Sequence, residues 1–338
     1  MNRVAKIGLG CLLLPVGTTV LGLLFFLTMK AAGVPEPSVT EQEFAQDIGT
    51  QLVIEDGGAA STTERIDDTA ALSRIAAQTA VIVDIDVEEC EFFLESGPAE
   101  DGVRIEANYD EATYELTQSY DLEGDVPVFR LKFRSKISFW RRIAQDGSFS
   151  DDDFSMNSIT VFLPEETPIA LRSRLAKGEG ELRLDNLVLT NLVTSCTMGS
   201  YTVEMATPNP VVMESASLTM GMGEATFRGL SNLRARSLRV EGGMGEARID
   251  FGNSLLVDTE LIARMKMGEM LIEIPDDALY DPQSRVKATM GEVSNGMDRG
   301  QRISDPELAK RISLDASVLM GEIQLEPFRV RPSSRIGN

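Results

Sequence analysis

The chain has 338 residues, with 53 Asp plus Glu against 32 Lys plus Arg, no histidine, three cysteines and 43% hydrophobic residues. Without an imidazole there is no Ser-His-Asp or Cys-His nucleophile and no His-ligated zinc or haem, and a formal charge of −21 repels nucleic acid and anionic surfaces. The length leaves room for about two domains.

Residues 1–30 hold Arg3, Lys6 and Lys30 and no acid, and the 23 residues from Ile7 to Met29 carry no charge. At 1.5 Å per residue such a helix crosses a hydrocarbon layer about 30 Å thick. Basic residues before it and Glu36, Glu41, Glu43 and Asp47 after it place the body outside the cytoplasm by the positive-inside rule. The rival reading is a removable signal peptide, with Ala31 and Gly33 as small residues at a cleavage site. Cys11 lies in this run, and Cys90 and Cys196 in the body are expected to be buried free thiols.

Residues 31–61 read as a linker, beginning with the acidic, Pro-containing stretch 31–43. A β-rich unit over 62–160 follows, opened by one helix over 62–79, where Ile66, Ala70, Leu72, Ile75 and Ala76 fall near helical spacing after Thr62 and Thr63. Beyond it Val81, Val83, Ile85 and Val87 alternate with polar residues, and short strands are expected at 103–106 and 114–116. The segment 129–142 is basic inside an acidic protein. Arg130, Lys132, Arg134 and Lys136 share one parity, with Arg141 and Arg142 at its end and Trp140 beside them. It is a candidate strip for docking an acidic partner, against a reading in which it pairs with strand neighbours such as Asp110, Glu111 and Glu115. Asp151, Asp152 and Asp153 read as a solvated loop, because three consecutive side chains do not converge on one ion.

Over 161–330 a motif recurs: Gly180-Glu181, Met198-Gly199-Ser200, Met222-Gly223-Glu224, Met244-Gly245-Glu246, Met267-Gly268-Glu269, Met290-Gly291-Glu292 and Met320-Gly321-Glu322, at glycine intervals of 19, 24, 22, 23, 23 and 30 residues. A period in this range means stacked units that bury their apolar faces against one another. After each glycine the pattern alternates, as in Glu246, Arg248 and Asp250 against Ala247, Ile249 and Phe251. Before each glycine it alternates again, and the two halves disagree in parity. The glycines at 199, 223, 245, 268, 291 and 321 are therefore expected to be bulges or corners. Turn pairs at Ser231-Asn232, Gly252-Asn253 and Pro275-Asp276 return the chain.

The predicted fold is all-β: a parallel β-solenoid of about seven rungs, with a β-sandwich as the alternative, preceded by one transmembrane helix. Residues 305–310 form a short helical insert capping the open end, and 331–338 are a tail. In this reading the methionines at 198–320 point inward and fill the corner, so a thioether ladder for a soft metal is set aside and no metal or cofactor is assigned. Glu181, Glu224, Glu246, Glu269, Glu292 and Glu322 form an outward column whose repulsion is relieved by solvent and by Arg183 and Arg248, or by divalent cations.

The strand text from Val81 onward, with Leu238 to Phe251 (LRVEGGMGEARIDF) as its clearest stretch, resembles the toastrack-type, adhesin-like domains of bacterial envelope proteins, including the cell-wall-active antibiotics response group. The resemblance covers 80–326 and implies a β-rich stack near a membrane, with many members lacking an assigned activity and some belonging to envelope-stress systems. A single N-terminal helix departs from members with several membrane helices and argues against a direct sensor role. The expected function is a membrane-anchored, extracytoplasmic, non-catalytic interaction or scaffold module of the cell envelope, binding an unknown protein or envelope component. The alternatives are a regulatory partner in envelope stress, docking through the basic strip, and a carbohydrate-acting β-helix enzyme using paired carboxylates such as Glu246 and Glu269.

Overall fold

The structure, a computed structural model, describes residues 80–136, 157–297 and 309–328, and the backbone of 39–46. The apolar N-terminal run, the helix expected over 62–79, Trp140, Arg141, Arg142, Asp151 to Asp153 and the tail lie outside the described residues, as does residue 305–308 of the expected insert. Among the described residues no helix is long and apolar enough to cross a membrane.

Among the described residues fourteen strands form one sheet. They are β1 (Val39–Gln46), β2 (Val81–Gly97), β3 (Val103–Asp110), β4 (Tyr114–Glu123), β5 (Val126–Ser135), β6 (Ser158–Pro164), β7 (Pro168–Arg183), β8 (Val188–Glu204), β9 (Met213–Arg228), β10 (Ala235–Asp250), β11 (Thr259–Ile274), β12 (Leu279–Tyr280), β13 (Arg285–Asn295) and β14 (Arg311–Pro327). From β2 through β7, β8, β9, β10, β11 and β14 to β13 every pairing is parallel, with the motif glycines in register and one shift, between Ile169 and Ala170, where β7 meets β8. The fold is all-β and solenoid-like.

These long strands cannot be straight. At about 3.3 Å per residue β10 would span about 50 Å, whereas the chain from Asp250 to Thr259 reaches about 31 Å at full extension. Yet β11 must begin beside the start of β10, where Ser237 pairs with Glu260. The strand therefore turns back on itself, and the pairing marks where. Glu241 and Gly242 have partners, Gly243 has none, and pairing resumes at Met244. Gly245 has φ +129°, and a Cβ on it would stand 1.9 Å from the carbonyl oxygen of Gly223 in the rung before, so only glycine fits there.

The two arms and the returning segment enclose one apolar core. Columns such as Val203, Phe227, Ile249, Ile272 and Leu325 are in register and buried, each large side chain contributing about 1.5–3 kcal/mol on burial. Leu230, Leu233, Phe251, Leu255 and Ala278 close the third side. There, buried Asn209 replaces missing ladder bonds. Its Oδ1 accepts from the Leu189 N–H at 3.1 Å and its Nδ2 donates to the carbonyls of Leu189 at 2.8 Å and Leu233 at 3.3 Å, tying three turns together.

At the N-terminal end the two arms of β2 acquire different neighbours. Residues 82–87 pair with β5 of the β4–β5 hairpin, and 91–97 pair with β6, which continues through β3 to β1. The segment read as a linker thus contributes a strand, because the free edge of β3 offers its N–H and C=O groups to any extended segment.

The C-terminal end corrects another expectation. Rungs do not stack in chain order there: β14 lies between β11 and β13. The 30-residue interval from Gly291 to Gly321 is the length the chain uses to come back and fill that slot. Residues 309 and 310 are not helical.

Candidate functional site

Two surfaces were singled out by the sequence: the corner columns and the basic strip. At the corner, register sets the columns. Gly178, Gly199, Gly223, Gly245, Gly268, Gly321 and Gly291 align across neighbouring strands, all with φ between +125° and +150°. The first corner glycine is therefore Gly178 and not Gly180. Gly180 is small for a different reason, since a Cβ there would meet the Tyr201 ring at 2.5 Å.

The carboxylate column shifts accordingly. It runs Glu91, Glu179, Ser200, Glu224, Glu246, Glu269, Glu322 and Glu292, while Glu181 stands two residues along, opposite Thr202. Glu224, Glu246, Glu269 and Glu292 are exposed. The arginines expected to relieve their repulsion are engaged elsewhere: Arg183 with Glu181 at 2.8 Å and Glu95 at 3.1 Å, Arg248 with the buried Glu273. Glu322 accepts from Gln324 Nε2 at 2.9 Å.

The methionines are the main correction. Met198, Met222, Met244, Met267 and Met290 are 37–56% exposed, and Met320 is half-buried. They stand in one register line, 198-222-244-267-320-290, on the outside of the corner. The parity break lies two residues before each glycine, so Met shares the outward face with the following Glu, and core filling at the corner falls to Cys196, Met220, Met265 and Val318. The sequence held one signal for this. In β7 the methionine position is Lys177, a residue type almost never fully buried, but it becomes visible only once Gly178 is taken as the corner.

In the basic strip Arg130 and Arg134 point outward from β5 and find acids on the two flanking strands. Arg130 pairs with Asp121 at 3.0 Å and with Glu123, Arg134 with Glu88 at 3.1 Å and with Asp86, and Lys136 donates to the Glu111 carbonyl at 2.7 Å. Lys132 is exposed. The acids that Arg130 and Arg134 meet stand on β4 and β2.

Cys90 and Cys196 are free and buried. Burial pushes the Cys196 thiol up to about 11, against a smaller opposing pull from the Met198 N–H, and drives Cys90 higher still with help from Glu91. Both are neutral at physiological pH and unreactive. Burial also raises the Asp250 carboxyl, partly countered by the Gly252 N–H. Among the described residues no three His, Cys, Asp or Glu side chains are grouped to hold a metal ion. Glu246 and Glu269 face each other across adjacent strands on the exposed ridge, where no aromatic side chain stands in the corner columns.

Residues 56–228, just over half of the chain, match the profile of the N-terminal domain of toast_rack (DUF2154). The chain belongs to the toast_rack family. The match covers β2 through the last residue of β9 and leaves β1 outside it, and β10 to β14 continue the toast_rack stack beyond it. No curated protein matches the sequence. Similar solved structures include a candidate cell adhesion protein from Clostridium sporogenes, at 9% identity over 86% of this chain and 100% of that one with a TM-score of 0.39. A candidate adhesin from Bacteroides fragilis matches at 11% identity over 87% of this chain and 99% of that one, with a TM-score of 0.34.

Proposed function

We propose that this toast_rack protein is a single-pass, membrane-anchored module of the cell envelope, its β-stack outside the cytoplasm, that acts by presenting an ordered surface rather than by catalysis. The observation that carries this reading is the in-register stack, which sets identical side chains at fixed intervals along an exposed ridge. Repeat stacks of this kind provide extended binding surfaces whose affinity rests on a few outward residues. The anchor rests on the uncharged run from Ile7 to Met29 behind Arg3 and Lys6. The carboxylates that a glycosidase reading would use stand on an exposed ridge rather than in a cleft, and the arginines of the basic strip have acidic partners within the fold, which favours the scaffold reading over docking through that strip. The test is a pair of reporters fused after residue 38, ahead of β1, one active only outside the cytoplasm and one only inside. Activity of the outside reporter, recovered in the membrane fraction, is expected. Activity of the cytoplasmic reporter alone overturns the proposal.

A further inference from the structure

We infer that the methionine column on the outer corner binds soft monovalent metal ions, copper(I) or its surrogate silver(I), through thioethers on successive rungs. The inference rests on where the side chains stand and does not depend on membrane topology. Met198, Met222, Met244, Met267, Met320 and Met290 are register partners one after another, so adjacent members are one strand spacing apart, about 4.8 Å. Taking the zinc–thiolate bond of about 2.3 Å as a lower guide, a linear sulfur–metal–sulfur bridge spans at least about 4.6 Å. The unbranched, flexible methionine side chain takes up the remainder, and thioether sulfur selects copper(I) over hard cations.

Packing does not account for the column. Five of the six side chains are 37–56% exposed, and the fold places Lys177 at the same position in β7, so the corner does not require an apolar residue there. Nor is the column an ordinary apolar docking face. It is one residue wide, with Thr197, Lys266 and Thr289 on one side and glycine followed by glutamate, or by Ser200 at Met198, on the other, and among the described residues only Leu319 widens it. A stable protein interface needs about 800 Å² from each partner. The neighbouring Glu224, Glu246, Glu269 and Glu292 have no ion-pair partner among the described residues and supply the negative potential that gathers a cation at the ridge.

Pairing neighbours as 198 with 222, 244 with 267 and 320 with 290 gives a capacity of three ions. Silver(I), stable in air, is titrated into the full chain in detergent with Cys11 replaced (Cys11→Ser) and methionine methyls labelled with carbon-13. The methyl signals of the six corner methionines are expected to shift, those of buried Met220, Met265 and Met270 to stay, and saturation to come near three equivalents with Kd below about 10 μM. The triple variant Met222→Leu, Met244→Leu and Met267→Leu should keep the unfolding midpoint and lose two of the three ions. The absence of shifts at the corner methionines up to about 100 μM silver, or an unchanged stoichiometry in the folded triple variant, overturns the inference.

Discussion

Replacing Gly245 with alanine tests the whole architecture at one atom. The residue sits at φ +129° and its new Cβ would lie 1.9 Å from the Gly223 oxygen and 2.8 Å from its carbonyl carbon. Holding a non-glycine residue in that backbone region costs about 1–3 kcal/mol. The overlap is with backbone, so no side chain can swing away; β9 and β10 must separate by more than an ångström, giving up about two ladder hydrogen bonds at about 1 kcal/mol each. The sum is about 3–5 kcal/mol, a large part of the 5–15 kcal/mol by which a domain is usually stable. Denaturant unfolding followed by far-ultraviolet circular dichroism measures it. Gly124→Ala is the matched control: it also has positive φ, +67°, but nothing within 4 Å of the added Cβ, so it reports backbone strain alone and should cost about 1 kcal/mol. Equal losses for the two variants, or a loss below about 1 kcal/mol for Gly245→Ala, would refute the stacked corner.

Other expectations follow from single residues. Asn209→Ala strips three backbone groups of Leu189 and Leu233 of their partner inside the stack and should cost about 1–3 kcal/mol by the same unfolding assay, whereas a surface asparagine would cost almost nothing. Met244→Lys should shift stability by less than about 0.5 kcal/mol, since Lys177 already occupies that position in β7; a large loss would mean that the side chain is buried after all. With Cys11 replaced by serine, the native protein should not react with a thiol reagent at pH 8, and two thiols should appear on unfolding. The folded thiols titrate above their unfolded value of about 8.5, so their contribution to stability is complete below that pH and is lost as the pH rises toward the value of about 11 held by Cys196. The unfolding midpoint should therefore fall on the alkaline side between these values, and Cys196→Ser should shrink that fall.

The strand text was legible because a one-sided strand alternates with period two, and Ala247, Ile249 and Phe251 against Glu246, Arg248 and Asp250 leave no other reading. The corner was legible as a place but not in its detail. Two arms of opposite parity require one break, and nothing local says whether the break falls at the glycine or two residues before it. Placing it at the glycine sends Met inward and placing it at Gly243 sends Met outward, so a shift of two residues exchanges a core column for a surface one. The basic strip was legible as an outward row, since Leu131 and Phe133 face the core, but its partners on β2 and β4 depend on tertiary pairings that period alone does not specify.

The order of the last rungs was hidden for a deeper reason. β13 and β14 both carry Met-Gly-Glu, and each aligns its glycine with the other's, so either could follow β11 with the same corner, the same outward columns and the same ladder. What separates them is the inner face. β14 supplies Ile312, Leu314, Ala316, Val318, Ile323 and Leu325, all buried, whereas β13 offers Val286, Ala288 and Val293, of which none is fully buried. A position between two neighbours buries more apolar surface than one at the end, and the gain scales with the apolar area available. The richer strand therefore takes the inner slot even though it is made later in the chain, and the poorer strand is left as the exposed end of the stack. At this end of the molecule apolar content, rather than chain order, sets which strand is enclosed.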